Sequence, residues 1–190
     1  MPRHIFEPTA PQGSPVPVNP DAVGAPYARS LILAALLLCV AGVALAADKT
    51  VSVVEAVDIA ASPSRTWATI QDFRGWQAWH PAFASTEIIR GPGNAKGTVR
   101  VLAARDGAKF TEELLSHEDV SHVVQYRIIQ SPLPITNYVS SIKVQSTYDG
   151  SHVVWSSTFQ VDAGAREEDI KKAVAGVYRA GLDNLVAVIR

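Results

Sequence analysis

The stretch that decides the fold runs from residue 135 to residue 190: ITNYVSSIKVQSTYDGSHVVWSSTFQVDAGAREEDIKKAVAGVYRAGLDNLVAVIR. Two runs rich in β-branched and aromatic residues, 135–148 and 152–161, flank Asp149-Gly150. An Asp-Gly pair between two such runs marks a tight hairpin, because its central residues need positive φ. After residue 165 the period changes from two to about 3.6. Ile170, Val174, Val177, Gly181, Leu185 and Val188 fall three or four residues apart, giving one apolar stripe on a helix from about Arg166 to Ile189. Glu167, Glu168 and Asp169 occupy its first turn, where the helix dipole favours negative charge. A long helix with one apolar stripe has to bury it, and the adjacent antiparallel strands offer the face.

Moving toward the N-terminus, strand signals recur at short intervals. Residues 122–130, 108–118, 97–104 and 83–90 read as strands, with Asp106-Gly107 and Gly91-Pro92-Gly93 as turns. Before them, Trp76-Gln77-Ala78-Trp79-His80 forms a short aromatic segment stopped by Pro81. Ser62-Pro63 reads as a helix start, with Ser as N-cap and Pro at the first helical position. That helix carries Trp67 and Ile70 to Asp72 or Phe73, and Gly75 ends it. Val-rich residues 51–60 form the first strand. The order is strand, two short helices, six antiparallel strands and one long helix. Helices segregated from a run of antiparallel strands make the class α+β.

The first 46 residues have a different composition. Pro2, Pro8, Pro11, Pro15, Pro17, Pro20 and Pro26 crowd residues 1–28. Proline at that density cannot sustain a helix or a strand ladder, so a disordered lead is expected there. Arg29 then precedes the apolar run LILAALLLCVAGVALAA, Leu31 to Ala47. A positive charge, an apolar core and Ala44-Leu45-Ala46 are the parts of a secretory signal. Residues 29–46 read as a signal peptide cleaved after Ala46. The alternative is an N-terminal membrane anchor with the domain outside, although the run is short of the ~20 residues of a full span. Residues 47–190 then form the working domain, periplasmic or secreted, with the membrane involved only through the apolar segment if it stays uncleaved.

Charge and cysteine usage exclude several function classes. The chain has 17 Lys+Arg against 18 Asp+Glu, a net charge of −1. Removing residues 1–46 takes Arg3 and Arg29 along with Glu7 and Asp21, so the domain stays near neutral. A nucleic-acid partner, which wants a basic face, is not expected. The single cysteine, Cys39, lies in the signal segment, leaving the domain without a thiol for a disulfide, a zinc site or a nucleophile. His80, His117, His122 and His152 lie in different elements without metal-ligand spacing, so no metal is expected. There is no Gly-x-Ser-x-Gly elbow. Gly91-Pro92-Gly93-Asn94 lacks the downstream helix of a phosphate loop. No cofactor is expected.

Several segments, in this order, resemble the START-like superfamily that includes birch-pollen-allergen proteins and polyketide cyclase/dehydrase (SRPBCC) domains. They are residues 61–73 (ASPSRTWATIQDF), Trp79-His80-Pro81, Arg100-Val101-Leu102, residues 110–115 (FTEELL), Tyr126-Arg127-Ile128, Pro134 through Tyr138, Trp155 and the final helix. The resemblance covers about residues 50–190. It implies a helix-grip fold: a curved seven-stranded antiparallel sheet around the long C-terminal helix, with a hydrophobic cavity between them. Members mostly bind or transport apolar ligands, and some are enzymes. Fold alone does not fix which.

Strand parity assigns the cavity side. Val153, Trp155, Ser157 and Phe159 share one face, as do Tyr138, Ser140, Ile142 and Val144, and His122, Val124, Tyr126 and Ile128. Gln125 and Arg127 go to water. Arg100 and Glu112 are the sharpest pair. A three-residue loop at Arg105-Asp106-Gly107 places Arg100 opposite Glu112 on the face of Leu102 and Phe110. A two-residue loop places it beside Glu113, as a surface ion pair of little worth. Buried in an apolar cavity, Arg100 and Glu112 would orient the polar end of a ligand, whether carboxylate, phenol or hydroxyl. The resemblance puts Trp79-His80-Pro81 at the cavity mouth, where His80 is either part of an aromatic gate or a general acid–base. Small residues on the last helix, Ala173, Gly176, Ala180 and Gly181, either leave volume for the cavity or permit close packing.

The leading expectation is an exported module holding a small hydrophobic molecule: a lipid, polyketide or aromatic compound. Its candidate ligand-binding residues are Trp79, His80, Phe83, Arg100, Leu102, Phe110, Glu112, Tyr126, Tyr138, Trp155, Phe159, Val177, Gly181 and Leu185. An enzyme of the cyclase/dehydratase kind, using Arg100, Glu112, Tyr126 or His80, is the alternative. An accessory protein docking on an exported oxidoreductase is a third, with a protein partner.

Overall fold

The computed structural model describes residues 49–189. The expectations for the proline-rich lead and for the signal or anchor segment lie outside the described residues. The elements are β1 (Thr50–Ile59), α1 (Pro63–Ile70), a single 3-10 turn (Trp76–Ala78), β2 (Phe83–Arg90), β3 (Val99–Ala104), β4 (Lys109–Glu118), β5 (Val123–Gln130), β6 (Ile135–Ser146), β7 (Ser151–Val161) and α2 (Glu167–Val188). The seven strands form one antiparallel sheet in the order β1-β7-β6-β5-β4-β3-β2. The class is α+β, with the helix-grip arrangement.

Each helix end has a local cause. Ser62 Oγ accepts the Arg65 N–H at 3.3 Å and Pro63 is already helical in φ, so α1 begins there. The helix stops at Ile70, earlier than the expected Asp72 or Phe73. The backbone there finds other partners: Asp72 Oδ1 accepts the Arg74 N–H at 3.0 Å, and Asn94 Oδ1 accepts the Phe73 N–H at 2.9 Å. Phe73 is thereby delivered into the core.

Strand parity holds across the inner face. Val153, Trp155, Ser157 and Phe159 of β7 are buried, with Tyr138, Ser140, Ile142 and Val144 of β6 and Val124 and Tyr126 of β5. Gln125 and Arg127 are exposed. His122 departs from this pattern. It precedes β5 in a left-handed conformation (φ 53°), half-buried, with its ring stacked on Trp67 at 5.7 Å. A turn residue does not inherit the parity of the strand it leads into.

Helix α2 buries Ile170, Val174, Tyr178, Gly181, Leu182 and Leu185. Val188, expected on the stripe, is 50% exposed because the helix ends there and Ile189 turns inward instead. Gly181 makes the closest approach. A Cβ built on it would lie 2.6 Å from Cδ2 of His80 and 2.9 Å from Cζ3 of Trp155. The room beside this glycine is therefore filled by two rings. Ala173 and Gly176 face solvent. The small residues of α2 serve close packing and exposure, not cavity volume.

Candidate functional site

The hairpin between β3 and β4 decides the central feature. Ala104 N–H donates to Ala108 O at 2.8 Å, enclosing a three-residue loop in which Gly107 takes φ 90°. The register then pairs Arg100 with Glu112 and Leu102 with Phe110. Glu113 falls on the outer face, where it meets Arg127 at 2.6 Å and Arg90 at 3.6 Å. Of the two loop lengths open to the sequence, the longer one is present, and it sends a charged pair inward.

Arg100 is completely buried. Its Nε donates to Glu112 Oε2 at 2.8 Å, and Nη2 lies 2.6 Å from the same oxygen. Nη1 donates to the carbonyl of Phe73 at 2.7 Å. The guanidinium also lies over the rings of Phe73 and Trp76, 3.8 and 3.7 Å from their centroids. A planar cation sandwiched between aromatic faces gains quadrupole attraction that partly offsets lost hydration. Burial pushes the Glu112 carboxyl up, and the charge of Arg100 opposes the rise. Burial likewise pulls Arg100 down from its very high ordinary value, against the attraction of Glu112.

Between the sheet and α2 lies a cavity of about 340 Å³. Its inner wall comprises Trp76, Glu112, Tyr126, Tyr138, Trp155 and Tyr178. Phe83, Phe110, Ile128, Ile135, Val174 and Val177 supply most of its apolar lining. Arg105 and Asp106 of the β3–β4 loop and Leu133 before β6 border its exposed rim. A bulge in β6 between Thr136 and Val139, with Asn137 at φ 52°, sits beside the inward-facing Tyr138.

The tyrosines form a hydrogen-bonded network with Trp155 and Ser140. Trp155 Nε1 donates to Tyr126 OH and Ser140 Oγ, each at 3.0 Å. Ser140 Oγ donates to the carbonyl of Ser156 at 2.9 Å and lies 3.2 Å from Tyr178 OH. Tyr178 OH shares a short hydrogen bond with Tyr138 OH. Its ring stacks on Trp155 with centroids 4.3 Å apart. Burial, reinforced by the neighbouring phenols, raises Tyr126, Tyr138 and Tyr178 well above the ordinary tyrosine value. All three hydroxyls are therefore protonated at neutral pH.

Of the residues singled out in the sequence, Phe83, Phe110, Glu112, Tyr126, Tyr138, Trp155 and Val177 line this cavity. Arg100 stands behind Glu112, outside the lining. Leu102, Phe159 and Leu185 belong to the packed core and do not line it. Trp79 and His80 occupy no mouth. Trp79 packs on Trp76 and Trp155, and both Trp79 and His80 are buried. His80 Nε2 faces the carbonyl of Val177 at 3.0 Å, and Nδ1 accepts the Ala82 N–H at 3.2 Å. The gap over Gly181 admits this ring, so His80 is a wedge between α2 and the sheet. Trp76 and Tyr178 were not among the candidates. Tyr178 could have been found from the helix period, since it lies four residues after Val174 and three before Gly181.

Among the described residues, no group of three or more His, Cys, Asp or Glu is placed to hold a metal. No helix of the described residues is long and apolar enough to cross a membrane.

A family profile described as "Polyketide cyclase / dehydrase and lipid transport" matches residues 50–190. Among solved structures, the chain is similar to the protein XoxI of Bacillus cereus. Identity is 31% and the TM-score 0.64, over 74% of this chain and 94% of that one. An uncharacterised protein from Bacillus thuringiensis matches at 30% identity and TM-score 0.65, over 74% and 98% of the two chains. A protein from Nitrosospira multiformis shares the fold at 24% identity and TM-score 0.65, over 74% and 97%.

Proposed function

The chain belongs to the polyketide cyclase / dehydrase and lipid transport family, and from that premise we propose that its domain binds and carries one small, largely apolar molecule. The observation that carries this reading is the cavity itself: about 340 Å³, walled mostly by aromatic and aliphatic side chains, with the Glu112 carboxylate in its inner wall and Asp106 at its rim. Pockets of that composition bind by apolar burial and orient by a few polar groups. Carriage is favoured over catalysis by the state of those groups. The three tyrosines hold their protons, and both His80 nitrogens are used by backbone. One oxygen of Glu112 is committed to Arg100.

The test is binding of Nile red to the full chain, read as dye fluorescence, beside the variant Val177→Trp. Val177 lines the cavity from the half-buried side of α2, so an indole there fills the space without disturbing the sheet. Saturable binding by the parent and its loss in the folded variant support the reading. Equal binding by both overturns it.

One observation favours the second reading, an enzyme of the cyclase/dehydratase kind. Burial raises the Glu112 carboxyl, and a raised carboxyl beside a substrate can move protons. Turnover of polyketide-like substrates, abolished in Glu112→Gln, would favour it. Export rests on the sequence of residues 29–46. A mature chain beginning at Ala47 supports export, and one retaining Pro2–Pro26 overturns it.

A further inference from the structure

The cavity wall carries hydrogen-bonding groups of a particular polarity. Among the described residues, Glu112 is the only charged side chain in its inner part; Arg100 Nε donates to its Oε2, and Nη2 lies 2.6 Å from that same oxygen. Among the described residues, nothing donates to Oε1. That oxygen is also not among the buried polar atoms lacking a partner, so it is accessible, and Glu112 lines the cavity. An ionised carboxylate oxygen is acceptor-only.

Two of the neighbouring tyrosines, Tyr138 and Tyr178, have already spent their protons. Ser140 gives its proton to the Ser156 carbonyl, which can only accept. Tyr138 and Tyr178 share one proton between them, and the other goes toward Ser140 Oγ. Tyr126 accepts from Trp155, and among the described residues no acceptor takes its own proton. Two donors in the wall are left over, the Tyr126 O–H and an indole N–H. Trp76 buries an indole N–H that no protein atom accepts. Trp76 stacks on the guanidinium that holds Glu112, so this donor belongs to the same end of the cavity.

Resting on the binding reading above, we infer that the ligand's polar end is an uncharged hydroxyl, alcoholic or phenolic, seated on Glu112 Oε1. A hydroxyl donates to the carboxylate and still offers lone pairs to the Trp76 N–H. A carboxylate or phosphate brings a second negative charge to Glu112 in an apolar enclosure. Arg100 is no counter-ion for it, being fully buried behind Glu112 and outside the cavity lining, with Nε held by Glu112 and Nη1 by the Phe73 carbonyl. An ammonium fares little better, because Arg100 already neutralises Glu112 and the cation would stand unpaired. At the rim, Arg105 and Asp106 are exposed and opposite in charge, and Arg105 Nε donates to the Pro81 carbonyl at 2.8 Å. The rim therefore offers an anion no net attraction.

The experiment compares four matched probes on the full chain by ligand-observed NMR at neutral pH: para-propylphenol, propylbenzene, para-propylbenzoate and para-propylbenzylamine. The phenol should bind about tenfold or more tighter than propylbenzene, the gain of a hydrogen bond to a charged acceptor. The benzoate and the protonated amine should bind more weakly than propylbenzene. In the double variant Arg100→Met/Glu112→Leu, which removes both charges together, propylbenzene should still bind and the phenol's advantage should vanish. If that variant fails to fold, the order of the four probes on the parent chain still decides. Propylbenzene binding as well as or better than the phenol overturns the inference and leaves the cavity's binding role standing. Tighter binding of the benzoate does the same, and its loss in Arg105→Gln would locate the head group at the rim. Absence of binding by all four overturns both.

Discussion

Acid will destabilise this domain through His80, whose buried ring resists protonation. The ring is fully buried between α2 and the sheet. Its Nδ1 accepts the Ala82 N–H, so Nε2 carries the proton and donates to the Val177 carbonyl. Those two bonds fit only the neutral imidazole, because a proton on Nδ1 would face the amide hydrogen of Ala82. Burial, with a smaller contribution from the charge of Arg100, lowers the pKa from 6.5 to about 4. In the unfolded chain the imidazole takes up its proton near 6.5. Between these values the unfolded state holds one proton more than the native state, so stability falls as pH falls. The slope is about 1.4 kcal/mol per pH unit and the total about 3 kcal/mol. The contribution is whole above pH about 6.5 and gone below about 4.

The assay is urea unfolding of the full chain, followed by tryptophan fluorescence, in steps from pH 7.5 to 4, for the parent and His80→Gln. Glutamine retains an N–H for the Val177 carbonyl and cannot titrate. Glu112 acts in the opposite sense: its carboxyl is raised, so the native state takes up that proton first and gains stability as pH falls. Glu112 is present in both proteins and cancels in their difference. The variant should be the less stable at pH 7.5, and the two curves should converge by about 3 kcal/mol toward pH 4. Parallel curves would refute the argument, because they would mean that His80 binds its proton equally in both states.

Gly181→Ala should lower stability by about 1–3 kcal/mol despite the better helix propensity of alanine, because its Cβ meets His80 and Trp155 inside 3.0 Å. Gly176→Ala on the exposed side of the same helix, where nothing lies within 4 Å, should raise stability by about 0.5–1 kcal/mol. Thermal melts of both variants check the contrast, and equal signs would contradict it. Glu112→Ala should cost about 3–5 kcal/mol by stranding the buried guanidinium, whereas Arg100→Met/Glu112→Leu should stay close to the parent. Denaturant midpoints would show this, and a double variant as unstable as the single one would count against the pair's being dispensable to folding. Tyr178→Phe should cost about 1–2 kcal/mol, since it leaves the buried hydroxyl of Tyr138 without its partner.

The topology was legible because its signals are local. Asp149-Gly150, the period-two runs around it and the 3.6 period after residue 165 each act within a few residues, and the sheet follows from adding hairpins. The inner face was legible for the same reason: once the strands are set, parity fixes every second side chain. The Arg100–Glu112 pair stood one step beyond this. Two loop lengths fit the residues Arg105-Asp106-Gly107, and one residue of difference moves the partner of Arg100 from the core to the surface. What settles it is a single bond from Ala104 N–H to Ala108 O.

His80 and Gly181 mark where local reasoning stops. A histidine after two tryptophans and before a proline looks like a gate residue, and a glycine in a helix looks like spare volume. Each reading changes when the two are brought together, because the space made by one is filled by the other. The contact spans 101 positions of chain, and no periodicity encodes it. Its consequence reaches the cavity. With His80 wedged at Gly181 and Trp155 against it, α2 is pinned at one level. Trp155 then stacks on Tyr178, and Tyr178 closes the hydroxyl network with Tyr138 and Ser140. The helix therefore contributes to the site through Val174, Val177 and Tyr178, in the turns that precede Gly181. The glycine that suggested room for a ligand instead fixes the height at which the helix meets the sheet, and the cavity lies where larger side chains hold the two apart.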